Sequence, residues 1–331
     1  MACASFSMDI VTPEENLDGM PLVKRRRVSN YARSCEATQS GVSSRQCTIL
    51  KSLWFPDGDI VLEIEQRLLK VHRKRLRCSV IFSDMLHIPQ PSETDQVDGC
   101  PSVTLVGDAV TDWEVALEWI YSIDDFLRKP TTFDVLSGAL RISTKYEIGD
   151  LRCWAIQELL LRWPVDVASM RLNALPHAAE AINLAQECNV PEILPSCFYA
   201  LSVQKFHCSA DGGRSHIVLS PNDLRRLIAG REALQDVLLR IVIDPLTEPG
   251  CSNNNSRSCG CDPRRIEYWR TRLAPDPKSP WSTWLARELI QMLDDGAFTS
   301  SLCSDCLHAH LSTVRWRLGR LRGNIPSFFL L

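Results

Sequence analysis

The sequence predicts an α+β protein, a small sheet with surrounding helices followed by an all-helical C-terminal extension, and three observations carry that reading. Apolar runs of strand length stand close together between Leu53 and Val106, whereas the apolar runs from Trp113 onward have helical spacing. Strands first and helices after is the order of an α+β domain, and it argues against a regularly alternating βαβ nucleotide-binding fold. The composition, 45% hydrophobic and 23% charged across 331 residues, is that of a globular chain with room for two domains or for one with appendages.

The first fifty or so residues are rich in Ser, Thr, Gln and Arg, lack a sustained apolar period, and carry Lys24, Arg25, Arg26 and Arg27 behind Pro21. They are expected to form a disordered basic leader, residues 1–50. Trp54-Phe55-Pro56-Asp57-Gly58-Asp59 is a turn signal, after which Ile60, Val61, Leu62 and Ile64 read as a buried strand. Leu68, Leu69 and Val71 form a second, joined to the first across Gln66-Arg67 as a hairpin without an Asn-Gly turn. Leu76, Val80, Ile81 and Met85 have the spacing of one helix, an acidic loop runs from Pro89 to Gly99, and Val103, Leu105 and Val106 read as a third strand. Helical faces follow at Trp113, Leu117, Ile120 and Tyr121, at Phe133, Leu136 and Leu140, and at Ile148, Leu151, Ala155 and Leu159, the last stopping before Pro164.

Beyond Pro164 every expected element is a helix. One covers His177 to Cys188 and stops near Pro191; another runs from Leu224 to Ile241. Ser220-Pro221-Asn222-Asp223 starts the latter with a hydroxyl N-cap, proline at the first helical position and an acid in the first turn. The Cys-, Asn- and Ser-rich stretch Pro249 to Pro263 reads as loop, and Leu307, Leu311, Val314, Leu318 and Leu321 mark a last helix.

Several of these residues resemble a known family. Asp59-Ile60-Val61-Leu62, Val71-His72-Arg73 with Leu76, and Ser79, Phe82 and Met85-Leu86 look like the opening of a BTB/POZ domain. Asp112 to Tyr121 is similar to that fold's next helix, and Leu140 to Tyr146 followed by Leu151 to its closing helical pair. Ala181 to Cys188, Pro191 to Pro195 and Phe198 to Leu201 resemble the region that follows the BTB domain in a large group from mushroom-forming (basidiomycete) fungi. The resemblance implies a BTB/POZ domain over residues 51–164, a helical extension over 165–248, and a Cys-rich loop with C-terminal helices over 249–331. It also implies a homodimer that recruits protein partners, a scaffold or adaptor and not an enzyme. Asp59 and Arg73 match the charged pair that lines an interaction pocket between subunits of dimeric relatives, with a structural ion pair or a strand-end cap as the alternative. His72 matches a family histidine expected to be packed and hydrogen-bonded. Relatives that bind cullins carry a hydrophobic-x-Glu motif where this chain has Ile88-Pro89-Gln90-Pro91-Ser92-Glu93, a departure that sets the ubiquitin-ligase adaptor role behind the others.

The late cysteines form the main chemical motif: Cys251, Cys259-x-Cys261, and Cys303-x-x-Cys306 followed by His308 and His310. Zinc takes four thiolate or imidazole ligands in a tetrahedron, and a C-x-x-C turn places two sulfurs on one ion. Cys259, Cys261, Cys303 and Cys306 are the expected ligands, with Cys251 or His310 as substitutes; His310 falls at i+7 from Cys303, and His308 points elsewhere. The alternative is that these thiols are core residues.

The net charge of −3 gives no global attraction to nucleic acid or to anionic membrane, so any such contact must be local. No apolar run approaches the roughly 20 residues that span a bilayer. The opening MACASFSMDI lacks a charged n-region and a long apolar h-region, so nucleus or cytoplasm is expected over secretion, with the 14 cysteines as thiols or metal ligands. Lys24 to Arg27 match a nuclear import signal, with a solvated charge run as the alternative. Arg315, Arg317, Arg320 and Arg322 with Trp316 read as the polar side of the last helix, nucleic-acid contact being the alternative. The chain has no H-x-E ahead of P-C-x-x-C, no H-E-x-x-H, no Walker loop, no G-x-G-x-x-G and no G-x-S-x-G, so a zinc enzyme stands behind a zinc-stabilised, transcription-associated DNA-binding factor as an alternative function.

Overall fold

Thr48–Trp54 (β1), Ile60–Ile64 (β2), Arg67–Val71 (β3), Gln96–Val97 (β4) and Cys100–Thr104 (β5) form one mixed sheet in the order β1-β3-β2-β5-β4. The computed structural model describes residues 47–88, 96–205, 219–246, 260–276, 278 and 282–331. All belong to a unit that extends from Gln46 to Leu331. The architecture is mixed α+β, as the order of the apolar runs predicts.

The hairpin of β2 and β3 is the centre of the sheet, with Ile60 opposite Val71 and Ile64 opposite Arg67. Its two-residue turn, Glu65-Gln66, has positive φ at both positions (47° and 65°), the geometry that Asn-Gly usually supplies. Here tertiary contacts hold it: the Glu65 carboxylate accepts from the Val110 backbone N–H at 3.0 Å, and the Gln66 carbonyl accepts from Thr48 at 2.8 Å. β5 adds to β2 in parallel, with Leu62 opposite Val103.

Two expectations need correction in this half. The third strand is shifted toward the N-terminus and ends at Thr104; Leu105 is buried beyond it and Val106 is 81% exposed, because the chain turns at Gly107 with φ of 80°. β1 lies where leader was expected up to position 50. It pairs in parallel with β3, and as an edge strand whose side chains are mostly exposed it has no alternating pattern to betray it.

The face from Leu76 to Met85 is two helices, Arg73–Leu76 (α1) and Val80–His87 (α2). Ser79, extended at φ −91° and ψ 128°, separates them and caps α2: its hydroxyl accepts from the Phe82 N–H at 3.0 Å and donates to the Tyr146 carbonyl at 2.5 Å. Val80 is therefore 51% exposed while Leu76 and Phe82 are buried. Ser79→Ala removes the cap and one long-range bond, and is expected to cost about 1–2 kcal/mol. Urea denaturation measures it, and a loss below a few tenths would show that the cap contributes nothing.

Helices Val110–Tyr121 (α3), Ile123–Arg128 (α4), Phe133–Lys145 (α5) and Gly149–Arg162 (α6) complete the first half. The fully buried ring of Trp113 meets those of Phe82 and Tyr146 edge-on or tilted, at 5.7 and 5.0 Å. Ala178–Glu187 (α7), Leu194–Ser202 (α8) and Pro221–Ile243 (α9) follow, the last capped by Ser220 as its sequence predicts. Trp163, fully buried, donates to the Ala174 carbonyl at 2.8 Å, and Arg152 of α6 bonds the carbonyls of Cys188 and Asn189. A continuous cluster of buried apolar residues runs from Ile60 to Phe329.

The loop expected up to Pro263 ends earlier. Cys261–Leu273 (α10) is a helix with Pro263 in its first turn, where the missing N–H would have no intrahelical partner. Leu285–Asp294 (α11), Gly296–Thr299 (α12) and Ser304–Phe328 (α13) close the described chain. No described helix is long and apolar enough to cross a membrane.

Candidate functional site

Two features stand out: a thiol cluster where α10 and α13 begin, and an open groove beside the sheet. Cys261 is the first residue of α10, Cys303 is the N-cap residue of α13, and Cys306 lies in the first turn of α13. The three sulfurs lie within 4.8 Å of one another, Cys261 and Cys306 buried and Cys303 exposed. The group can hold a metal ion. All three stand in the first turn or at the N-cap of their helices, where the partial positive charge of the helix start is felt.

The expected ligand set is thus met in part. Cys251 and Cys259 lie outside the described residues. His310 is not in the cluster: seven residues along α13 from Cys303, it sits about 10 Å further down the helix axis. There it is fully buried among Tyr268, Trp269 and Phe298, with ring centroids at 5.7, 5.9 and 5.1 Å. Burial pushes its pKa down to about 4, with the Arg265 guanidinium adding to the shift, so the imidazole is neutral at physiological pH. His308 is exposed, as its position on the helix predicts.

The groove, about 1220 Å³, is lined by Phe55, Asp57, His72, Arg75, Tyr121 and Asp150 among others. Tyr121 organises it. Its hydroxyl accepts from the His72 backbone N–H at 2.9 Å and lies 2.8 Å from His72 Nδ1; its ring stacks on Phe55 at 4.6 Å and lies under the Arg75 guanidinium at 5.5 Å. The other ring nitrogen, Nε2, faces Asp57 Oδ2 at 3.3 Å. The hydrogen bond from His72 holds the Asp57 carboxyl below its usual range. His72 is hydrogen-bonded, as expected, but lines a groove and is not sealed in the core.

Asp59 and Arg73 sit next to this groove without lining it. The Asp59 carboxylate accepts from the Arg73 backbone N–H at 2.7 Å, which is the strand-end cap, and no ion pair joins the two side chains. The groove residues come from the ends of separate elements, so no local period marks them in the sequence. In α13 the arginines are divided: Arg317 is buried against the Trp269 ring at 4.9 Å and bonds the Asp244 carbonyl, while Arg322 pairs with Asp166 at 2.8 Å. The basic cluster Lys24 to Arg27 and the stretch Pro89 to Asp95, which includes Glu93, lie outside the described residues.

The fold and site define a mixed α+β protein with a three-thiol cluster. No protein-family model matches the chain, and no curated protein matches it significantly.

Proposed function

We propose that this protein is a protein–protein interaction module, a homodimerising scaffold or adaptor built on a BTB/POZ-type domain with a helical extension. The observation that carries the reading is the groove. It exposes two large aliphatic side chains, Val80 at 51% and Ile123 at 44%, together with basic (Lys74, Arg75) and acidic (Asp57, Glu147, Asp150) groups. A two-fold axis through such a surface sets basic groups of one copy against acidic groups of the other and buries the aliphatic pair between them. The hairpin, the paired short helices α1 and α2, the parallel strand β5 and the helices after it also support this reading, since they follow the order that the BTB/POZ resemblance implies. A scaffold of this kind recognises partners without a cofactor, and a zinc ion at the thiol cluster would serve folding instead.

Sedimentation of the full chain tests the proposal. A dimer is expected at micromolar concentration, and the Val80→Asp/Ile123→Asp double variant is expected to be monomeric. Lys74→Glu/Arg75→Glu should weaken association on the order of 10- to 100-fold, through like charges brought together. Adding Glu147→Lys/Asp150→Lys should restore it. A wild-type chain that stays monomeric at high micromolar concentration, or a dimer indifferent to all four charges and to both aspartates, would overturn the reading.

A further inference from the structure

We propose that Cys261, Cys303 and Cys306 bind one zinc ion, which staples the start of α10 to the start of α13. The three sulfurs come from two helices far apart in sequence and meet within 4.8 Å. In a tetrahedral zinc site with bonds of about 2.3 Å, neighbouring sulfurs stand about 3.8 Å apart, so a small contraction closes this group around a single ion. The donor set contains no carboxylate or carbonyl, which disfavours calcium and magnesium and selects a soft or borderline cation.

The starts of the two helices leave room for such a site. Helices of this length usually begin with a Ser, Thr, Asp or Asn whose side chain takes a first-turn N–H. α10 begins after Gly260, which has no side chain, and Cys303 makes no side-chain cap bond at α13. On binding, metal-held sulfurs at the two N-termini take that place, and the first-turn N–H groups suit sulfur acceptors. Three thiolates and Zn²⁺ leave one negative charge, balanced by the same dipoles. Arg265, one turn further along α10 on the face of Cys261, is buried and paired with Asp262 at 3.1 Å, while its Nε has no partner. The fourth corner falls to water or a further donor on the side where Cys303 meets solvent. On binding, each thiol gives its proton to solvent and each sulfur donates a lone pair to the metal; nothing is oxidised or reduced.

The test uses the full chain purified under reducing conditions without chelator. About one zinc per chain is expected by elemental analysis, falling several-fold in Cys303→Ser and Cys306→Ser and unchanged in Cys153→Ser, an exposed thiol elsewhere. Should a cluster variant fail to fold, cobalt substitution of the wild-type chain decides the matter: thiolate-to-cobalt charge transfer and the d–d bands of a tetrahedral ion are expected. Reduced wild-type protein that takes up neither zinc nor cobalt would overturn the proposal, as would metal content that survives both cluster substitutions.

Discussion

Asp108→Ala is expected to destabilise the protein by about 3–5 kcal/mol, the range for removing one partner from a buried charged network. The Asp108 carboxylate is almost wholly buried between the end of β5 and the start of α3. It accepts from Trp113 Nε1 at 3.0 Å, from the Tyr146 hydroxyl, and from Lys145 Nζ at 2.5 Å. Burial, and then Asp108 itself, push the Tyr146 phenol far above its usual range, so it stays a donor at any physiological pH. Alanine would strand an indole N–H and a phenol O–H in the core, each costing about 1–3 kcal/mol. Lys145 is nearly half exposed, and Lys145→Met leaves the Trp113 and Tyr146 donors on the carboxylate, so its loss should be smaller than that of Asp108→Ala. Urea midpoints for the two variants measure the contrast. Equal losses would mean that the ion pair, and not the buried donors, gives Asp108 its importance.

Gly230→Ala is the second large effect, and its sign opposes helix propensity. Gly230 lies within α9, where alanine is favoured over glycine by about 1 kcal/mol. A Cβ there would stand 2.0 Å from two ring atoms of Phe329, which is fully buried and stacked on Phe198 at 5.5 Å. Either α9 shifts or the Phe329 ring leaves its site, and the loss should be about 2–4 kcal/mol. In a Phe329→Ala background the obstruction is gone, and the same glycine substitution should be neutral or stabilise by up to about 1 kcal/mol. A Gly230→Ala loss of the same size in both backgrounds would place its cause elsewhere in α9.

The elements legible in the sequence are those whose signal is local. Ser220-Pro221-Asn222-Asp223 announces α9 because a hydroxyl, a fixed φ and an acid all act within one turn. The β2–β3 hairpin is legible because both strands are almost continuously apolar, even though its turn lacks the usual residues. β1 is not legible, since its partner β3 and its exposed side chains leave no periodic trace, and α10 is hidden by the Cys- and Pro-rich chain in which it starts.

The chemistry divides along the same line. By itself the sequence determined an α+β order, the capped start of α9, and a set of late cysteines suited to a metal. Only the tertiary structure decided that Cys261 meets Cys303 and Cys306, that His310 does not, and that Asp59 caps the Arg73 backbone instead of pairing with its guanidinium. Helical period places His310 on the expected face of α13, but it cannot say how far down the axis the neighbouring helix delivers its ligand. That distance is set by the packing of α10 against α13, which no local pattern encodes.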